Sequence, residues 1–306
     1  MFDKTGTLTE GRFGIDTVEA VGCTEKELVL MAAMAESGSN HPIAISLKKA
    51  CEEGFDYSRI GASEDRPGRG VVTEIDGRKI AVGNRKLMAE VGAVPTTEDG
   101  IHTVVHVARD GAYMGKVTLS DIVKSTSAEA VRDLKANGIR RTVMLSGDAK
   151  PIGEEVAKKI GLDEAHCELM PADKIAHLEE IIETKTEGSN VVYVGDGIND
   201  APSISRADIG VAMGGLGSDA AIEAADVVIM DDEPLKLGIA MKIARRTNSI
   251  VKQNIVFALG VKFLILALSL FGIANMWMAV FGDVGVAVVA ILNSMRCLRT
   301  GMYGKR

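Results

Sequence analysis

The sequence predicts an α/β fold with a doubly wound parallel sheet, followed by a hairpin of two apolar helices. Short β-branched runs alternate with amphipathic segments from Phe2 to about residue 250, a pattern typical of a mostly parallel sheet covered by helices. Turns rich in glycine and aspartate follow several of these runs. Near residue 254 the composition becomes almost entirely apolar.

The composition argues against several classes of function. A chain of 306 residues is long enough for two domains, each with its own core. The net charge of −7 and the lack of a Lys/Arg-rich arm argue against a nucleic-acid partner. The four cysteines are scattered without a CxxC pair, so neither a disulfide framework nor a thiolate metal site is indicated.

Local signals define the elements before the apolar region. Thr24 and Glu27 have the spacing of a helix capping box, and Pro151 and Gly161 mark the start and end of another helix. The strand candidates are residues 104–108, 115–119, 141–146, 190–195, 209–213 and 226–230.

The first eleven residues carry the strongest chemical signal. The carboxylate of Asp3 follows a hydrophobic start, and Thr5 and Thr7 flank Gly6 directly after it. At the carboxyl end of a strand, before a turn whose amides face outward, a carboxylate is well placed to attack a phosphoryl group. We therefore expect Asp3 to be a nucleophile in phosphate chemistry.

Three later segments carry matching chemistry. Residues 146–148 (SGD) follow a strand candidate, and a hydroxyl with turn amides can bind a phosphoryl oxygen there. Lys174 falls in the first turn of a helix, where a cation can neutralise transferred phosphate. Residues 195–202 (GDGINDAP) supply two carboxylates and an amide, which suit Mg²⁺. We expect these groups to meet at one edge of the sheet, where doubly wound folds bind ligands.

Together, the motifs DKTGTLT, SGD, MPADK and GDGINDAP resemble those of the phosphorylation domain of P-type ATPases, which has a haloacid-dehalogenase-like fold. The resemblance implies that Asp3 becomes an aspartyl-phosphate, and that Asp121 is a further hinge and active-site acid. The implied catalytic residues are Asp3, Thr5, Ser146, Gly147, Asp148, Lys174, Asn199 and Asp200. The implied ligands of Mg²⁺ are Asp3, Thr5 and Asp196. The family usually has threonine and asparagine where this chain has Ser146 and Ala149.

Residues 12–114 would be an inserted α+β domain that binds ATP. Pro42 predicts a helix start at His41, and glycine turns lie between the β-rich runs that follow. These features resemble the nucleotide-binding domain of the heavy-metal subgroup. The implied nucleotide-binding residues are Glu36, His41, Gly68, Gly70, Gly83 and Asn84. On its own, His41-Pro42 is also compatible with a histidine that only caps its helix. His102 and His106 lie on a strand pattern, which favours ordinary strand histidines over a metal site.

The apolar region predicts two membrane-spanning helices, 255–274 and 276–295, joined at Asn275. Each is about 20 residues long, the length needed to cross the hydrocarbon core. The flanking basic residues place both ends in the cytoplasm by the positive-inside rule. They are Lys252, Arg296, Arg299, Lys305 and Arg306. The alternative is a helical hairpin buried in a soluble protein.

Lys262 and Asp283 are the charged residues within the two predicted spans. Because a charge inside the bilayer is costly, such a pair marks an ion path or a counter-ion pair, and we favour the ion path. Both positions resemble the zinc-, cadmium- and lead-exporting subgroup. An aspartate suits divalent Zn²⁺ and Cd²⁺ better than Cu⁺.

The resemblance predicts three parts: a phosphorylation domain (1–11 and 115–250), a nucleotide-binding domain (12–114) and a membrane region with a short basic tail (251–306). The expected function is ATP-driven export of Zn²⁺, Cd²⁺ or Pb²⁺ through an aspartyl-phosphate, with Mg²⁺ as cofactor. The expected location is the plasma membrane, with the soluble domains and both termini cytoplasmic. In the family the DKTGTLT motif lies deep in a longer chain. We therefore expect the catalytic C-terminal part of a pump, unable to transport alone, whose partner is a missing half with an actuator domain and six helices.

Two other functions remain open from the sequence. One is a membrane-anchored phosphatase of the haloacid-dehalogenase superfamily, and the other is an ATP-binding remnant or half of a split pump. Phosphatases of the haloacid-dehalogenase superfamily usually have a second aspartate two residues after the nucleophile, which acts as a general acid. Here that position is Thr5, which favours a long-lived phosphoenzyme.

Overall fold

The computed structural model describes residues 1–51, 54–96, 98–215 and 219–298. The strands are β1 (Phe2–Asp3), β2 (Thr9–Ala20), β3 (Ile60–Arg66), β4 (Gly70–Ile75), β5 (Arg78–Gly83), β6 (Thr103–Arg109), β7 (Ala112–Val123), β8 (Val143–Leu145), β9 (Glu164–His166), β10 (Val192–Gly195), β11 (Ile209–Met213) and β12 (Val227–Ile229). The helices are α1 (Glu25–Ala35), α2 (Pro42–Ala50), α3 (Arg85–Glu90), α4 (Ser127–Ala136), α5 (Lys150–Ile160), α6 (Pro171–Thr184), α7 (Ala201–Arg206), α8 (Asp219–Ala224), α9 (Lys236–Leu270), α10 (Met276–Val280) and α11 (Val286–Ser294).

The first sheet is parallel throughout and has the order β12-β11-β10-β1-β8-β9. Strand β1 is central, with Phe2 paired to Val194 on one side and to Met144 on the other. The strands are short and apolar, and Tyr193 and Leu145 are fully buried, as expected of a parallel sheet. Since the chain leaves β1 between β8 and β10, the carboxyl ends of these three strands meet at one edge.

The second sheet is antiparallel and has the order β2-β7-β6-β5-β4-β3. The strands predicted at 104–108 and 115–119 exist, but they belong to this sheet rather than to the parallel one. Only Asp110 and Gly111 separate β6 from β7, and so short a connection requires an antiparallel pair. The other four predicted strands lie in the parallel sheet. The expected domain boundaries at 11/12 and 114/115 fall inside strands β2 and β7. The division into a phosphorylation domain and a nucleotide-binding domain therefore stays a prediction.

The predicted helix signals are present. Thr24 and Glu27 form a reciprocal capping box at the start of α1. Pro151 lies in the first turn of α5, and Gly161 ends that helix. Both signals depend only on residues close in sequence, so they can be recognised without knowing the tertiary fold.

A separate C-terminal unit contains two helices long and apolar enough to span a membrane, Lys236–Leu270 and Met276–Leu298. Their apolar windows are 0% and 11% buried, unlike the core hairpin of a soluble protein. A π-helical turn, Phe281–Gly285, interrupts the second helix.

The bounds of the two helices differ from those of the predicted spans in two details. The first helix begins at Lys236, well before residue 255, and the connection spans 271–275 rather than Asn275 alone. The amide of Ile273 bonds to Leu268 O at 3.0 Å and closes the first helix early. The side chain of Asn275 then caps the next helix by accepting from the amide of Met278. Three predicted flanking charges, Arg299, Lys305 and Arg306, lie outside the described residues.

Close packing between β4 and β5 yields a stability prediction. Gly70 and Gly83 face each other across the two strands, and a Cβ at Gly83 would lie 2.8 Å from the Gly70 Cα and overlap Arg69 O. We expect Gly83→Ala to lower the free energy of unfolding by about 1–3 kcal/mol, as overpacking does. Thermal unfolding measures this. The matched control is Gly100→Ala, whose Cβ would meet nothing within 4 Å. Equal melting temperatures for the two variants would contradict the packing argument.

Candidate active site

The carboxylate of Asp3 lies at the end of β1 and is only 5% exposed. Lys174, in the first turn of α6, donates to Asp3 Oδ1 and also contacts Asp200 Oδ1 at 3.2 Å. The hydroxyl of Tyr193 donates to the same Asp200 oxygen at 3.1 Å. Residues from β1, α6, β10 and the turn after β10 therefore meet around one buried carboxylate. Asn199, in that same turn, is exposed.

Asp3, Asp196 and Asp200 form a cluster of carboxylates in which one oxygen from each lies within 4.8 Å of the others. The turn that follows Asp3 closes over Asp196. Gly6 in this turn has φ +75°, and a Cβ there would overlap the Asp196 carboxylate. Glycine is thus required at position 6 both by its backbone conformation and by the lack of space.

The three carboxylates of this cluster carry more negative charge than Lys174, which pairs with two of them, can neutralise. Burial, with added repulsion from Asp200, raises the pKa of Asp3 to about 7 even though Lys174 opposes the shift. Burial and Asp200 likewise raise the pKa of Asp196 to about 6. Burial lowers the pKa of Lys174, but the Asp3 and Asp200 carboxylates outweigh it and the net shift is upward.

This donor set fits the cation that the sequence predicts. Hard carboxylate oxygens are the ligands that Mg²⁺ prefers, and one lysine does not neutralise three carboxylates. Of the expected ligands, the structure brings Asp3 and Asp196 together. Thr5 lies in the turn directly after Asp3, with an exposed side chain. The arrangement can hold a nucleophile, a cation and a phosphoryl group in one place.

The SGD segment follows β8, next to β1. Ser146 is 2% exposed, and its hydroxyl accepts a hydrogen bond from the amide of Asp148 at 3.1 Å. Gly147 is exposed beside it. The Asp148 carboxylate does not turn toward Asp3; it forms an ion pair with Lys4, which also pairs with Asp121.

Two lysines around the nucleophile were missed by the sequence reasoning. Lys4 is nearly fully buried, and its ion pairs tie the DKTGTLT turn to β7 and to the SGD segment. Lys124 donates to the Gly6 carbonyl at 2.7 Å and to the Asp232 carbonyl at 2.8 Å. A lysine that directly follows the nucleophile was a usable signal for Lys4. Nothing local marked Lys124, because its partners are more than 100 residues away.

The expected nucleotide-binding residues lie near the second sheet in two groups. Glu36 ends α1, and burial raises the pKa of its carboxyl. His41 caps α2, since its Nδ1 accepts from the amide of Ile43 at 3.3 Å, and the side chain is exposed. His41 therefore caps its helix, as in the alternative that the sequence left open. Contact of His41 with a nucleotide stays a prediction.

The other group is built around Asn84. Its side-chain amide donates to Gly68 O at 2.9 Å, and its Oδ1 caps α3 by accepting from the amides of Lys86 and Leu87. Gly70 and Gly83 sit beside it in adjacent strands. The structure therefore brings Gly68, Gly70, Gly83 and Asn84 together.

The remaining candidate residues have distinct partners. In the C-terminal unit, Lys262 Nζ lies 3.4 Å from Asp283 Oδ1, and Asp283 is in the π-helical turn. His106 is a strand histidine that contacts Asp99 and Tyr113, whereas His102 precedes β6 and contacts a different carboxylate. The sequence places both histidines on a strand, which holds for His106 but not for His102, the residue directly before β6.

Comparisons with known proteins agree with the fold. Residues 1–208 match the family model described as haloacid dehalogenase-like hydrolase. The chain is 48% identical, over 98% of its length, to a cadmium, zinc and cobalt-transporting ATPase of Bacillus subtilis, and covers 43% of that protein. It is 46% identical, over 97% of its length, to a zinc-transporting ATPase of Synechocystis, of which it covers 41%.

Among solved structures, a zinc-transporting PIB-type ATPase in the E2.Pi state superposes with a TM-score of 0.84 at 30% identity. The match covers 97% of this chain and 49% of that structure. The predicted resemblance to heavy-metal P-type ATPases and the predicted fold class are thereby confirmed. The chain spans less than half the length of the curated relatives it matches.

The raised carboxyl pKa values predict how cation binding depends on pH. Without a cation, the folded chain holds Asp3 protonated up to a pKa of about 7, above the ordinary value of 3.8. The contribution of Asp3 to the free energy of unfolding therefore falls as pH rises through this window. Mg²⁺ binds the deprotonated form, so we expect it to raise the melting temperature more at about pH 7.5 than at about pH 5.5.

Thermal unfolding of the detergent-solubilised chain, with and without Mg²⁺, measures this difference. In Asp3→Asn the pH dependence of the Mg²⁺ effect should shrink, while the exposed control Asp16→Asn should behave like the parent chain. A Mg²⁺ effect of the same size at both pH values would contradict the assignment.

Proposed function

Because the chain belongs to the haloacid dehalogenase-like hydrolase family, we propose that it forms an aspartyl-phosphate on Asp3 from ATP. The observation that carries this proposal is the buried Asp3 carboxylate, held by Lys174 beside Asp196 and Asp200. A purely structural ion pair would not need two further carboxylates of the same sign close by. The arrangement supports binding of a cation and a phosphoryl group at this site.

The proposed step is a displacement at phosphorus. A carboxylate oxygen of Asp3 forms a bond to the γ-phosphorus of ATP, the bond from that phosphorus to the β,γ-bridging oxygen breaks, and ADP leaves with the electron pair. Lys174 lies beside the reacting carboxylate, where its ammonium stabilises charge on the transferred group. Ser146 and the turn amide of Gly147 are placed at the neighbouring strand end to bind phosphoryl oxygens.

Asp3, Asp196 and Thr5 would hold Mg²⁺, and Asp200 supports the site through Lys174 and Tyr193. When bound, Mg²⁺ supplies positive charge that offsets the charges of the carboxylates and the phosphate. Lys4 fixes the turn after Asp3 through its ion pairs, so the nucleophile keeps its orientation. Residues Glu36, His41, Gly68, Gly70, Gly83 and Asn84 form the proposed ATP-binding surface.

We further propose that the chain is the catalytic C-terminal part of an exporter of divalent heavy metals. Relatives named for zinc, cadmium and cobalt transport support this cargo class, and lead remains an expectation of the sequence alone. Lys262 and Asp283, paired in the apolar helices, are the proposed cargo residues. The proposed setting is the plasma membrane, with the sheets on the cytoplasmic side and the rest of a longer pump as partner.

Replacing the nucleophile gives the direct test. We expect Asp3→Asn to lose the acid-stable, hydroxylamine-sensitive label that γ-labelled ATP gives, because an amide cannot form the acyl-phosphate. ATP binding should persist within about twofold. Gel autoradiography and equilibrium dialysis measure the two properties, and Asp16→Asn is the surface control. Undiminished label in Asp3→Asn would remove Asp3 from the mechanism.

The residue two positions after the nucleophile separates the pump from the phosphatase. An aspartate there can protonate a leaving group and activate water, whereas Thr5 cannot. We expect Thr5→Asp to raise phosphate release by about 10- to 100-fold and to lower the steady-state phosphoenzyme. Colorimetric phosphate release measures the first quantity. Unchanged or slower turnover would count against a long-lived phosphoenzyme in the parent chain.

A further inference from the structure

Tyr193 is a polar side chain in the apolar core of the parallel sheet. It lies on β10 between Val192 and Val194, and it is 0% exposed. An aliphatic side chain at this position would fill the core without bringing a hydroxyl into it. A buried hydroxyl costs free energy unless it has a hydrogen-bond partner. The partner of this hydroxyl therefore indicates what the tyrosine contributes.

The hydroxyl of Tyr193 and the ammonium of Lys174 share one acceptor. Tyr193 donates to Asp200 Oδ1 at 3.1 Å, and Lys174 Nζ contacts the same oxygen at 3.2 Å. Burial, with the added charge of Asp200, raises the pKa of Tyr193 above its ordinary value, so the hydroxyl stays protonated and acts as a donor. Because Lys174 also donates to Asp3, the tyrosine is two contacts away from the proposed nucleophile.

The Asp200 carboxylate is held closely against β10. It is 3% exposed, and the amide of Asp200 donates to Gly197 O at 3.1 Å. Gly195 lies two residues after Tyr193 and therefore on the same face of the strand. A Cβ at Gly195 would lie 2.7 Å from the Asp200 Cβ, so the missing side chain at 195 leaves the space that Asp200 fills. Strand β10 thus supplies both the space for this carboxylate and a hydroxyl that orients it.

We propose that Tyr193 is a positioning residue for phosphoryl transfer, which acts through Asp200 to keep Lys174 at Asp3. This inference rests on the proposed formation of an aspartyl-phosphate. Asp200 Oδ1 accepts from two donors, so its attraction for the ammonium of Lys174 is divided. The 3.2 Å contact is longer than the distance of about 2.7–2.9 Å that is typical of a hydrogen bond between an ammonium and a carboxylate. Asp200 therefore orients Lys174 without drawing it away from Asp3.

Loss of the hydroxyl would change how Lys174 is shared between the two carboxylates. Without Tyr193 as a donor, the buried carboxylate of Asp200 depends more on Lys174 for compensation of its charge. The ammonium then moves toward Asp200 and away from Asp3, where it would stabilise the transferred phosphoryl group. The tyrosine ring fills the core in either case, so the hydroxyl alone carries the proposed role.

Single-turnover labelling of the full chain in detergent micelles with γ-labelled ATP and Mg²⁺ tests the proposal. We expect Tyr193→Phe to lower the rate of phosphoenzyme formation at saturating ATP by about tenfold. The ATP concentration that gives half of this rate should stay within about twofold. The matched control is Tyr113→Phe, which removes a hydroxyl that contacts His106 at 3.0 Å instead and should label at the parent rate. A Tyr193→Phe chain that melts at a lower temperature but labels at the parent rate would overturn the proposal.

A double-mutant cycle tests whether the effect passes through Asp200. Asp200→Asn removes the charge that competes for Lys174, so adding Tyr193→Phe to this variant should change the labelling rate by less than about twofold. A further tenfold loss in the double variant would contradict the path through Asp200. A parent chain that forms no acyl-phosphate contradicts the proposed function itself, whereas parent-like labelling of Tyr193→Phe contradicts only the role of Tyr193. The two failures are therefore distinguishable.

Discussion

The contact between the Lys174 ammonium and the buried Asp3 carboxylate is the interaction on which the proposed chemistry depends. A carboxylate that is 5% exposed stays available as a nucleophile only if a positive charge compensates for its lost hydration. Burial, with added repulsion from Asp200, outweighs the one lysine that the two carboxylates share, so the pKa of Asp3 remains high at about 7. This residual demand for charge links the fold to a cation and to phosphate.

Sheet topology explains why these groups meet. Asp3, Ser146 and Asp196 follow β1, β8 and β10, whose parallel pairing brings their carboxyl ends together. The pairing of Phe2 with Val194 and Met144 fixes this register and leaves Asp3, the next residue, at the end of β1. Lys4, within the turn after β1, and Lys124, after β7, then hold this turn in place. The site is therefore built by strand order first and by ion pairs second.

Much of this site could be predicted, because each motif directly follows a recognisable strand or opens a helix. Asp3, Lys174 and Asp196 lie where that reasoning placed them. The direction of the strands at 104–108 and 115–119 was not foreseen, because alternation alone does not separate a hairpin from a crossover. Contacts such as Lys124 with Gly6 O join residues far apart in sequence, and no local pattern contains them. The ion pair of Asp148 with Lys4 is another such contact.

The most direct test of the central claim is to locate the phosphorylated residue chemically. The chain is incubated with ATP and Mg²⁺, quenched in acid and reduced with borohydride, which converts an aspartyl-phosphate to homoserine. Mass spectrometry of the N-terminal peptide should then find homoserine at position 3, and only after incubation with ATP. Homoserine at another aspartate, or none in a chain that hydrolyses ATP, would contradict the assignment of Asp3 as the phosphoryl acceptor.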